Sequence, residues 1–128
     1  MEPSVLRLLA LTGPLVCLNP TLGQGTSSYH NYEELAKELR TLARTYPSVV
    51  TVESIGRSAE GRDLLLLTLT DRGAGAPETK PALFIVGNLE GDHVVGSESA
   101  LEVARGLAEG YSQTDSVREL LRKRTFYI

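Results

Sequence analysis

The sequence predicts an α/β domain built on a parallel or mixed sheet, and three observations lead there. Ala82-Leu83-Phe84-Ile85-Val86 is a continuous apolar run, the pattern of a strand buried on both faces of a helix-covered sheet. Segments with apolar residues at helical spacing flank it on both sides, around residues 35–46 and 97–108. Between the first of these and the apolar run lie two further strand-like segments joined by a glycine-bounded polar turn, which reads as a hairpin. With 128 residues, 41% hydrophobic and 23% charged, the chain suits one globular domain and not two.

The elements follow in order. Asn31 stands three residues before Glu34, a capping-box arrangement in which two side chains satisfy free backbone N–H groups at a helix start. Leu35, Leu39, Leu42 and Tyr46 then recur on one helical stripe, and Pro47 ends it. Residues 49–55 are rich in β-branched side chains and read as a strand, 56–62 as the turn, and 64–70 as the returning strand. Residues 71–81, broken by Gly73, Gly75 and Pro77, read as a surface loop. After the apolar run, 87–96 is a loop; Ser97 is placed to cap a helix through Ala100, Leu101, Ala104, Leu107 and Ala108, with Gly110 as its stop. A short helix over 115–122 leads to Thr125-Phe126-Tyr127-Ile128, which starts like another buried strand. A buried strand needs neighbours on both edges, so the domain is expected to continue past Ile128, with this chain a truncated N-terminal portion.

Residues 1–23 are set apart from this fold. Arg7 precedes an apolar run over residues 8–18, too short for the roughly 20 residues that cross a bilayer. Pro14 and Pro20 break any helix there. Thr21 and Gly23 are small residues at the −3 and −1 positions of a cleavage site before Gln24. The layout predicts a secretory signal peptide over 1–23 and a secreted or periplasmic protein. Cys17, the only cysteine, falls inside that segment, so the mature chain has no disulfide and no thiol nucleophile. Thirteen basic residues against sixteen acidic ones, a net charge of −3, argue against nucleic acid or an anionic membrane as partner. The run Arg122-Lys123-Arg124 reads as a solvated helix end.

The loop 87–96 carries the chemistry. It follows the apolar strand and precedes a helix, at the carboxyl end of a strand where open α/β sheets bind ligands. Glu90, Asp92 and His93 stand within it. Glu90 and His93, three apart on a tight turn, can point the same way, and carboxylate oxygen with imidazole nitrogen suits zinc. On spacing alone a solvated polar turn is the better account of the same residues, since one histidine and two acids often meet in a polar loop by chance. His30, at the start of the first helix, reads as a solvent-exposed residue and not as a third ligand.

Three stretches resemble the N-terminal part of the zinc carboxypeptidases, the M14 or funnelin metallopeptidases. Tyr32-Glu33-Glu34-Leu35 opens the first helix as the family's tyrosine-led helix does. The stretch Ile55-Gly56-Arg57-Ser58-Ala59-Glu60-Gly61-Arg62-Asp63-Leu64 is similar to the family's G-x-S-x-x-G-R-x-L hairpin. The third, Gly87-Asn88-Leu89-Glu90-Gly91-Asp92-His93-Val94-Val95-Gly96-Ser97-Glu98, follows the family's zinc loop, G-x-x-H-G-x-E-x-x-G. Thr125-Phe126-Tyr127-Ile128 looks like the strand leading to the family's substrate-binding asparagine and arginine. One departure is plain: the family places His first and Glu second, and here Glu90 and His93 are exchanged.

The resemblance implies a mixed-sheet α/β/α fold over 24–128 and a Zn2+ cofactor held by Glu90 and His93. It implies hydrolytic release of C-terminal residues from peptides or proteins, which are then the substrates. A third zinc ligand (a His), an arginine for the substrate carboxylate and a glutamate acting on water are also implied, all expected beyond Ile128. A related reading keeps the fold and hydrolyses an amide on a small acylated amino acid. The alternative of a different class is a non-catalytic carboxypeptidase-like binding module or vestigial fragment.

Overall fold

The computed structural model describes residues 29–91 and 94–128. The expected signal peptide over 1–23 lies outside the described residues. The first helix, α1 (Tyr32–Thr45), starts on the expected capping box: Glu34 N–H donates to Asn31 Oδ1 at 3.0 Å, and Asn31 N–H to Glu34 Oε2 at 2.9 Å. Its C-cap is Tyr46, immediately before Pro47.

The strands β1 (Val50–Arg57) and β2 (Asp63–Leu69) form the expected antiparallel hairpin, with Val50 opposite Leu69 and Val52 opposite Leu67. The register shifts between Ser54 and Gly56, so β1 runs two residues further than its β-branched composition suggests. The turn narrows to 58–62, where Gly61 N–H donates to Ser58 O at 2.9 Å. Gly61 has φ 78°, a left-handed conformation that glycine adopts without steric cost.

The next strand, β3, is short (Ala82–Phe84), and α2 (Val95–Gln113), α3 (Asp115–Lys123) and β4 (Thr125–Tyr127) follow. The sheet order is β1-β2-β4-β3, with β4 antiparallel to β2 and parallel to β3. A mixed α/β sheet is therefore the architecture, as expected, but the roles of two strands differ from the sequence reading. The apolar run 82–86 predicts a strand buried on both faces; among the described residues β3 pairs with β4 alone. Its successive residues Leu83 and Phe84, on opposite faces, are 53% and 66% exposed. The interior position belongs to β4, where Thr125 is fully buried and Phe126 nearly so.

The core lies on one face of the sheet. Val50, Leu67, Leu69 and Phe126 pack with Leu42 of α1, Ala104 and Ala108 of α2, and Leu121 of α3. On the opposite face of β1, Thr51 and Glu53 are exposed. The helices α1 and α2 lie side by side and parallel, because their contacts advance together: His30 meets Glu98, and Glu38 meets Arg105 at 3.6 Å.

Two helix signals read differently in three dimensions. Val94, not Ser97, is the N-cap of α2, and no side chain caps it; Ser97 lies inside the first turn. Gly110 does not stop α2, which continues to Gln113. A β-carbon there would stand 3.1 Å from both methyls of Val117, so the glycine admits α3 against α2.

Candidate functional site

Since β3 and β4 are parallel, their carboxyl ends open on the same edge of the sheet. The antiparallel β2 presents its first residue, Asp63, at that edge, with the hairpin turn beside it. Tyr32 at the start of α1 donates its hydroxyl to Asp63 O at 3.2 Å, and the Arg62 guanidinium lies 5.7 Å from the Tyr32 ring centre. A cleft of about 640 Å³ opens here, lined by Leu35, Leu67, Phe84, Asn88, Gly91 and Ile128 among others. This is the position beyond the strand ends where open α/β sheets take ligands.

The loop from 87 onward borders that cleft. Its neck is built from bare backbone. A β-carbon on Gly96 would stand 2.7 Å from Asn88 N, and one on Gly87 would stand 3.0 Å from Gly96 O and from Ala100 Cβ. Entry and exit of the loop therefore touch through glycine, which no larger residue permits without a shift. Asn88 has φ 54°, a left-handed conformation in which asparagine is tolerated better than most residues. Glu90 follows on the exposed part of the loop and Gly91 on the cleft wall. Asp92 and His93 lie outside the described residues, so of the two candidate ligands the geometry covers Glu90 only. Among the described residues no three His, Cys, Asp or Glu side chains gather into a metal-holding group. The donor chemistry of Glu90 and His93, one carboxylate and one imidazole, fits zinc, but two ligands are one short of the three that catalytic zinc sites commonly take from protein.

His30 is not the solvent-exposed residue the sequence predicts. Its side chain is 31% exposed, and its backbone N–H donates to Glu98 Oε1 at 2.6 Å. Its Nδ1 lies 3.1 Å from Glu98 Oε1 and 3.0 Å from Oε2. The backbone N–H of His30 is the first cause holding the Glu98 carboxyl below its ordinary pKa; the imidazole and the charge of Arg105 add to it, against desolvation. Sequence reasoning missed this pair because its members are 68 positions apart. The available signal was an acid in the first turn of α2, where the helix dipole favours one.

A family model described as zinc carboxypeptidase matches residues 35–128. A zinc carboxypeptidase of Saccharothrix mutabilis subsp. capreolus is 29% identical over 104 residues, which cover 81% of this chain and 24% of that protein. The human carboxypeptidase N catalytic chain is 31% identical over 104 residues, covering 81% of this chain and 23% of its own length. The crystal structure of carboxypeptidase A from Helicoverpa armigera superposes with a TM-score of 0.66 at 27% identity, covering 79% of this chain and 24% of that one. The chain thus spans about a quarter of the length of these proteins.

Proposed function

This chain belongs to the zinc carboxypeptidase family, and from that membership we propose that it supplies the metal loop of a secreted, zinc-dependent carboxypeptidase. The substrate class is the C-terminal peptide bond of peptides and proteins. Glu90 and His93 hold the zinc in exchanged order, and the third ligand, the carboxylate-binding arginine and the glutamate acting on water come from polypeptide following Ile128. Zinc, when bound, supplies the Lewis acidity that polarises a scissile carbonyl.

The observation that carries this reading is the loop itself. It stands at the carboxyl end of β3 within the stretch 35–128 matched by the family, it is pinched at a glycine neck, and it retains both ligand types. The role of the chain's own residues is to hold that loop against the cleft, with Gly87 and Gly96 closing its base.

Zinc uptake tests the proposal. The full-length protein, which supplies the third ligand, is expected to bind about one zinc, and Glu90→Ala and His93→Ala made in it each to abolish most of that binding, since each removes one of a small ligand set. Absence of zinc binding by the parent, with the fold intact by circular dichroism, overturns the proposal in favour of a non-catalytic module. Restoring the family order in Glu90→His/His93→Glu separates two histories. Tighter zinc binding in that double variant marks the natural order as a defect, and weaker binding marks it as an adapted site. The intact mass of the protein recovered from the producing cells' medium tests removal of residues 1–23 and the extension past Ile128 together.

A further inference from the structure

Arg122-Lys123-Arg124 holds the only adjacent Lys or Arg residues of the sequence, and it ends where α3 passes into β4. These three residues are exposed, whereas the next one, Thr125, is fully buried. The peptide bond between Arg124 and Thr125 is held by both of its polar groups. Its carbonyl oxygen accepts from the hydroxyl of the buried Thr70 at 3.0 Å, and its N–H donates to Pro81 O at 3.1 Å. The Thr125 hydroxyl adds a bond to Pro77 O at 2.8 Å. Thr70 is held in turn by Lys80. The Lys80 ammonium donates to the Thr70 hydroxyl at 2.9 Å, to Asp71 O at 2.5 Å and to Leu121 O at 3.4 Å. All three acceptors are neutral, for Asp71 turns its carboxylate to the Gly73 N–H and the Tyr111 hydroxyl. The segment 71–81, read from sequence as a surface loop, is thus the clamp that closes over the junction of α3 and β4.

We infer that the Arg124–Thr125 bond is a latent cleavage site for an endoprotease that reads paired basic residues, and that the contact of Lys80 with Thr70 keeps it closed. Such an enzyme needs accessible cations just ahead of the bond, and the exposed run supplies them. It also needs free backbone groups around the bond, because extended peptides are bound as an added strand through main-chain hydrogen bonds. Here those groups are already taken, by Thr70 and Pro81. Arg124 is itself extended, with φ −134° and ψ 156°, so the hydrogen bonds and not the backbone shape stand in the way. Cleavage therefore follows a local opening in which Arg124 and Thr125 leave Thr70 and Pro81. Its rate tracks the population of that open form when reclosing is fast. Hydrolysis adds one water across the bond, leaving a carboxylate on Arg124 and an amine on Thr125. The cut separates β4, which carries Phe126 of the core, from α3.

The test uses the full-length protein and a purified endoprotease specific for paired basic residues, with the cut at Arg124–Thr125 read from fragment masses. Lys80→Met removes the ammonium and keeps an unbranched stem. Thr70→Val removes the hydroxyl at nearly constant shape, and Thr70→Ser keeps it. The parent is expected to be cut slowly. Lys80→Met and Thr70→Val are each expected to be cut about tenfold faster or more, the effect of losing one hydrogen bond to a charged group or of stranding a buried carbonyl. Thr70→Ser is expected to stay near the parent rate. Leu42→Ala, which loosens the core from α1 without touching the clamp, is the control for general loss of stability. If Leu42→Ala is cut as fast as Lys80→Met at urea concentrations that leave the two equally stable, the bond opens by global unfolding and the inference is overturned. Variants as resistant as the parent, or a parent cut as fast as its variants, overturn the role of Lys80 and Thr70. A synthetic peptide of residues 118–128 is expected to be cut readily at the same bond; a peptide left whole shows that the run is no site at all.

Discussion

At the scale of single residues, Glu98 sets a dependence on acid. Its carboxyl titrates below the ordinary glutamate range in the folded chain, first because it accepts the His30 backbone N–H. A depressed folded value means the charged form is favoured by folding. The stabilisation is therefore present above the unfolded pKa of about 4.3 and is lost as pH falls through the depressed value. Urea unfolding of the parent and of Glu98→Gln is expected to differ most near neutral pH, with the difference shrinking below about pH 4 and vanishing under strong acid. A constant difference over that range would show that the charge contributes nothing. His30 shows why such a residue is not legible in sequence. Its neighbours Tyr29 and Asn31 describe a helix entrance, and nothing local points to an acid on another helix.

At the scale of elements, the glycines of α2 separate what local propensity says from what packing says. Gly106 and Gly110 both lie inside the helix, and both weaken it by the same backbone entropy. A β-carbon at Gly106 meets nothing within 4 Å, whereas at Gly110 it meets the two Val117 methyls at 3.1 Å. Gly106→Ala is expected to raise stability by about 1 kcal/mol, the helix propensity difference. In Gly110→Ala that gain is opposed by crowding against a β-branched side chain whose χ1 cannot turn away. The expected result is a lowered thermal midpoint, read alongside the raised one of Gly106→Ala. The hairpin was legible because alternation and turn composition are local properties. The end of α2 was not, because a glycine that stops a helix and a glycine that admits a neighbouring helix look alike in one dimension. Hydrophobicity likewise marked 82–86 as a strand, without saying which strand would lie beside it.

For the whole molecule, the core of the described residues includes Leu121 of α3. This fully buried side chain lies within the cluster formed by α1, α2 and three strands, and its carbonyl accepts from Asp71 N–H at 2.9 Å. Truncating a buried leucine costs about 2–5 kcal/mol, while domains of this kind are stable by about 5–15 kcal/mol in total. Leu121→Ala is expected to lose a large share of the urea midpoint at 25 °C and to broaden the thermal transition. Leu120→Ala, one position along and 38% exposed, is expected to change the midpoint little. Equal losses in the two variants would show that the cluster does not carry the fold.

By itself the sequence determined several features that depend on neighbours within a few positions. It placed the capping box at Asn31 and Glu34, the hairpin, and a strand at 125–128. It also identified the family from its spaced motifs and showed Glu90 and His93 standing in exchanged order in the loop 87–96. Tertiary structure alone decided the sheet order, with β4 between β2 and β3, the passage of α2 beyond Gly110, and the bond from His30 to Glu98. The reason is physical. Periodicity and turn chemistry constrain how each segment folds and which of its sides is apolar. Which strand lies beside which, and which acid reaches which histidine, is settled by packing between segments that are distant in the chain and leave no local trace.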